Sequence, residues 1–177
     1  MLIKRMMLLM ALLVFVGSAS FAQHKYVGVK KCKMCHNKPT TGKQYEKWSK
    51  AGHFGSFKAL SSEKAKEYAK KHGIEDPTTE AGCVKCHTTA GSVDKSLHAG
   101  ITPQEGVSCE SCHGPGSKYK SSTIMKSQKE SLANGMIIPN EETCKKCHAG
   151  ENPYHDMKPF DYAASSAKIA HPNPAKK

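Results

Sequence analysis

Aliphatic side chains are scarce in this 177-residue sequence. After residue 22, only 17 of the remaining 155 residues (11%) are Leu, Ile, Val or Phe. A chain below about 20% in these residues, with a high net charge, is normally disordered. Either this chain is disordered or something other than aliphatic side chains fills its interior, which argues against an ordinary aliphatic-core enzyme. Long apolar runs are missing too. The longest, Met6–Val16, falls well short of the roughly 20 residues that cross a bilayer. Glycine is too sparse, at 14 residues, for a collagen-like chain. Arginine is nearly absent: Arg5 is the only one, so the net charge of +12 is carried almost wholly by lysine. No stretch alternates as a strand would.

Cysteine and histidine are what the chain has instead. Its eight cysteines form four Cys-x-x-Cys pairs, each followed at once by histidine: Cys32-Cys35-His36, Cys83-Cys86-His87, Cys109-Cys112-His113 and Cys144-Cys147-His148. With ten histidines in the chain, four such placements by chance have odds on the order of one in 10⁵. On a helical turn, positions i, i+3 and i+4 share a face. Two thiols so spaced can add to the vinyl groups on one side of a porphyrin, and the histidine then reaches the iron. This is c-type haem attachment. A disulfide framework would use even cysteine numbers but gives the histidines no role. Paired zinc knuckles need no histidine at a fixed offset.

Four porphyrins supply the apolar surface that the aliphatic count lacks, so cofactor burial drives folding. They also change the charge. The chain after residue 22 carries 25 Lys against 15 acids, or +10. Each ferric porphyrin with ionised propionates adds about −1 and each ferrous one about −2, leaving roughly +6 oxidised and +2 reduced. Nucleic-acid binding, the usual inference from a basic chain, loses its support.

The N-terminus has the anatomy of a secretory signal peptide. Lys4 and Arg5 precede the apolar run, and Ser20 and Ala22 stand at the minus-three and minus-one positions of a cleavage site. Residues 1–22 are therefore expected to be a leader, with Ala19 as a second cleavage point. Residues 23–177 are expected to form one exported, periplasmic tetrahaem domain with no stable membrane insertion after cleavage.

Helices are expected to be short and to serve the cofactors. Thr102-Pro103-Gln104-Glu105 reads as a cap opening the helix of the third motif, which Gly114-Pro115-Gly116 stops. Asn140-Glu141-Glu142 caps the turn leading to Cys144. Further helices are predicted over Lys43–Lys50, Ser62–Lys71, Thr123–Ala133 and Tyr162–Ala170, with Gly73 and Gly135 as stops. Lysine-rich Ser62–Lys71 reads as a solvated face. The first cysteines are 51, 26 and 35 residues apart, too unequal for tandem repeats. The shortest step, from Cys83 to Cys109, predicts that haems two and three lie side by side.

At these residues the chain resembles the tetrahaem cytochromes of the cytochrome c-554 family. The matching signatures are Tyr26-Val27-Gly28 leading to Lys31-Cys32, Trp48 shortly before Ala51-Gly52-His53, and Gly82-Cys83-Val84-Lys85-Cys86-His87. The run from Gly106 to Gly116, with Cys109-Glu110-Ser111-Cys112-His113 at its centre, is the most specific. The resemblance implies a mainly helical fold wrapped around four closely packed haems. The best-known member of the family accepts electrons from hydroxylamine oxidoreductase, which implies a carrier serving periplasmic redox proteins.

The resemblance also implies the far ligands. It places His53 opposite His148 on the fourth haem, and His171 opposite His113 on the third. The family ligand of the first haem is a histidine shortly after Gly-Pro-Gly, and this sequence has none between Gly116 and Met125. Met125 could supply a thioether there, or be a core methionine packing on a porphyrin; His98 and His24 are other candidates. The second haem, on His87, keeps an open position in the family. That leaves two functions in view: electron transfer between redox partners with acidic docking surfaces, or a small reductase acting on nitric oxide, nitrite or hydroxylamine. His98 and His155 could donate protons in the second.

Overall fold

The structure is a computed structural model that describes residues 23–149 and 159–174. The expected leader and His155 lie outside the described residues. Ten short α-helices follow one another in the described chain, in the order α1 (Val29–His36), α2 (Gln44–Ser49), α3 (Ser56–Ala59), α4 (Glu63–Lys71), α5 (Ala81–His87), α6 (Cys109–His113), α7 (Ser122–Met125), α8 (Gln128–Ala133), α9 (Glu141–His148) and α10 (Tyr162–Ile169). Single 3₁₀ turns at Pro39–Thr41, Ala90–Ser92, Lys95–Leu97 and Pro103–Glu105 join them. The one β contact among these residues is a bridge between Tyr26 and His98. The mainly helical fold read from the sequence is the observed one.

The caps explain most helix starts. Ser62 accepts the N–H of Ala65 to open α4, and Asp161 accepts that of Ala164 to open α10. At α9, Asn140 and Thr143 satisfy each other's backbone donors in a reciprocal box. Along α4, Ala65, Tyr68 and Ala69 turn inward at helical spacing while Lys64, Lys66, Lys70 and Lys71 stay exposed, as expected of a solvated face.

Two expected helices are broken. Thr102–Glu105 does not open the helix of the third motif. Pro103–Glu105 is a separate 3₁₀ turn, closed by Gly106 at φ +63°. A Cβ on Gly106 would stand 2.6 Å from the carbonyl oxygen of His53, so only glycine lets the two segments meet. Glu105 does not cap; its carboxylate accepts the N–H of Val29 instead. The predicted helix over Thr123–Ala133 is two helices, because Ser127 leaves the helical conformation to cap α8 through the N–H of Glu130.

The buried apolar residues are few: Val27, Val29, Leu60, Ala69, Ala90, Ile101 and Tyr119. Almost as many buried residues are polar, namely Thr88, Thr89, Ser108, Glu110 and Ser131. Helices α1, α2 and α6 pack together, and α3 packs on α5 and on the 103–105 turn. What lies between these groups is space. Two open clefts occupy it, both lined by motif residues.

Candidate haem sites

Each Cys-x-x-Cys-His run ends a helix, α1, α5, α6 or α9, so its two sulfurs and its imidazole emerge from one turn. The eight cysteines form no disulfide. Among the described residues no three His, Cys, Asp or Glu side chains converge on a point that could hold a bare metal ion. Cys32, His36, Cys109, Cys112 and His113 line the first cleft, and Cys86, His87, Cys144, Cys147 and His148 the second. The motifs thus meet as first with third and second with fourth.

The sulfurs repeat this pairing. The Cys32 and Cys109 thiols lie within hydrogen-bond reach of each other, as do those of Cys86 and Cys147. Cys112 lines the second cleft with Cys144, so the third motif also reaches the fourth. The sulfurs of the second and third motifs, whose short interval led to the expectation of side-by-side haems, are not among these close pairs. The second and third motifs are joined through Thr89, whose hydroxyl meets those of Ser108 (2.9 Å) and Ser111 (2.6 Å), not through their cysteines. Burial pushes the Cys112 thiol up to about 11 and the Cys147 thiol up to about 12.

Two pairs of imidazoles face each other across the clefts. The His53 and His148 ring centres are 5.9 Å apart with planes at 53°. Those of His113 and His171 are 6.1 Å apart at 74°. Two imidazoles bound to one metal ion through bonds of about 2 Å would have ring centres about 6 Å apart. The spacing of both pairs therefore fits an iron between them. Burial, then the nearby His148, lowers the pKa of His53; burial is also the chief cause at His113. Both rings are thereby kept neutral, the form that binds metal.

Backbone carbonyls orient several rings. Nδ1 of His87 meets the Ser56 oxygen at 2.8 Å, that of His113 the Ile137 oxygen at 3.2 Å, and that of His171 the Ile169 oxygen at 2.7 Å. Each bond leaves Nε2 for the metal, as second partners of ligating histidines commonly do. Ser56 also donates to the carbonyl oxygens of His53 (2.7 Å) and His87 (2.8 Å), so one hydroxyl braces two candidate sites. Val107 donates to the His53 oxygen at 3.1 Å and accepts from Trp48 Nε1 at 3.0 Å. This ties the tryptophan before His53 to the third motif.

Met125 lines the first cleft with Cys32 and His36. Its sulfur lies 3.8 Å from the Ser131 hydroxyl. Met136, which the sequence did not single out, lines the same cleft. His24 and His98 line neither cleft. His24 packs so closely on Gly135 that a Cβ there would collide with its Nδ1, and Nε2 of His98 is buried without a hydrogen-bond partner. His72 stacks on Tyr68 with ring centres 4.0 Å apart. On the second motif, Cys83 and His87 open into a smaller cleft under Leu60, Tyr68, Ala69 and Ile74. Phe160 stacks on His148 at 5.1 Å and 15°; an isolated aromatic outside any motif carries no signal that would have found it.

Comparison with known proteins finds similar cytochromes. The family described as "cytochrome c554 and c-prime" matches residues 31–114. Cytochrome c-554 of Nitrosomonas europaea is 29% identical over 149 residues, covering 75% of this chain. The chain spans 61% of the length of that relative. The structure of reduced cytochrome c554 from Nitrosomonas europaea superposes with a TM-score of 0.54 at 26% identity, over 83% of this chain and 78% of the other.

Proposed function

We propose that this chain is a tetrahaem cytochrome of the c554 family, with four covalently attached c-type haems, and serves as a periplasmic electron carrier. The single observation that carries the reading is the pair of facing imidazole couples, His53 with His148 and His113 with His171. An iron held between two imidazoles has both axial positions filled, which favours electron transfer over chemistry on a bound substrate. When bound, the haems would supply one-electron redox centres.

In this reading the eight motif cysteines hold the haems, and His36, His87, His113 and His148 ligate the four irons in turn. His171 and His53 complete the third and fourth, and Met125 the first. The carbonyl oxygens on His87, His113 and His171 fix ring direction, so that little rearrangement accompanies a change of charge at the metal. The motifs meet first with third, third with fourth and fourth with second, which would set the haems in the order first, third, fourth, second. Lysines of α4 cover the second-haem end of that order. They would steer an acidic redox partner, with rates that fall as salt rises. Export follows from the leader read in residues 1–22. Among the described residues no helix is long and apolar enough to cross a membrane.

The test is reduction by a small acidic redox protein in a stopped-flow instrument. All four haems should be reduced, at a rate that falls with ionic strength and falls again when Lys64, Lys66, Lys70 and Lys71 are replaced by Glu. Steady consumption of nitric oxide, nitrite or hydroxylamine, at a rate exceeding that of free haem, would replace the carrier with the reductase.

A further inference from the structure

Glu110 is the largest fully buried side chain among the described residues, with 1% of its surface exposed. It stands inside the third motif, directly after Cys109. One carboxylate oxygen accepts the N–H groups of Val27 (2.9 Å) and Gly116 (2.6 Å). The other accepts those of Val27 (3.0 Å) and Gly28 (2.8 Å). The donors come from two places: residues 27–28 lead into α1 and the first motif, and Gly116 follows the third. These partners all donate, so both carboxylate oxygens act as acceptors.

A buried carboxylate is a costly way to join two segments, and a well-packed neutral side chain often does as well. Its charge has nearby targets. Its field reaches Cys32 and Cys109, the sulfurs where the first and third motifs meet. It also contributes, after burial, to the raised pKa values of Tyr26 and Tyr119. Tyr119 spends its proton on the Gly114 carbonyl at 2.8 Å, so it does not neutralise the acid. Half-buried Glu105 adds a second carboxylate at the same junction, bound to the N–H of Val29 at 3.1 Å.

We propose that Glu110 is a positioning residue that couples the first and third haem sites and, as a fixed negative charge beside both, lowers the reduction potential of that pair relative to the other two haems. This rests on the haem assignment above. Reduction adds an electron, and a negative charge in a site that water cannot screen opposes it.

The test is a redox titration of the full haem-loaded protein followed by optical and electron paramagnetic resonance spectra. In Glu110→Gln, with four haems by intact mass and an unchanged low-spin spectrum, two haems should titrate at higher potential and the other two at the wild-type value. Glu110→Asp keeps the charge and should return the pair towards wild type. If Glu110→Gln does not mature, Glu105→Gln carries the test, with a smaller upward shift of the same two haems. Unmoved potentials overturn the proposal. So does a fall in both Glu110 variants, the signature of a site opened to water. A wild-type protein lacking four covalent haems would instead overturn the assignment beneath it.

Discussion

His53 and His148 come from opposite halves of the chain, yet their rings stand 5.9 Å apart across the second cleft. His53 follows α2 in a run of turns, and its carbonyl oxygen is gripped by Val107 and Ser56. His148 closes α9 and is backed by Phe160. Tertiary contacts thus set both partners: Gly106 and Val107, just before the third motif, hold the His53 segment, and Phe160 backs His148.

Trp48 is the outer brace of that arrangement. Its indole donates to Val107 and meets Phe54 edge-on at 5.0 Å. Trp48→Phe keeps most of the apolar area and loses the hydrogen bond. Thermal unfolding of the haem-loaded protein should show a loss of about 1 kcal/mol, with the visible spectrum unchanged. A loss of low-spin character in this variant would mean that Trp48 positions His53 directly.

The four motifs, most of the helices and the Asn140 cap were legible because each is written in neighbouring residues, as in Asn140 with Thr143. The errors came where one residue serves two segments. Gly106 reads as a position within a helix start, but its backbone must pass the His53 carbonyl, so the helix opens only at Cys109. Ser127 reads as mid-helix, but its hydroxyl caps the next turn. Nothing in its neighbours marks Glu110 for burial, because its three backbone donors come from residues 27–28 and 116. The meeting of Cys32 with Cys109 had no sequence signal, since it depends on how α1 packs on α6. The His53 and His171 partners were reached through resemblance, not through spacing.

Met125 gives a sharper test of the first site. It shares a cleft with Cys32 and His36, and so does Met136. Met125→Leu should convert the first haem from low spin to high spin and abolish any thioether-to-iron charge-transfer band. Met136→Leu should leave both intact. The reverse result would move the ligand to Met136, and no change in either variant would return both methionines to packing.

The most direct measurement is electron paramagnetic resonance of the fully oxidised protein beside His53→Ala and His171→Ala. The wild type should show low-spin haems, including one with a larger maximum g value for the His113–His171 pair, whose planes cross at 74°, than for the His53–His148 pair at 53°. His171→Ala should remove the first signal and His53→Ala the second, each replaced by one high-spin haem. If both variants keep the wild-type spectrum, the facing histidines are not ligands and the account is wrong.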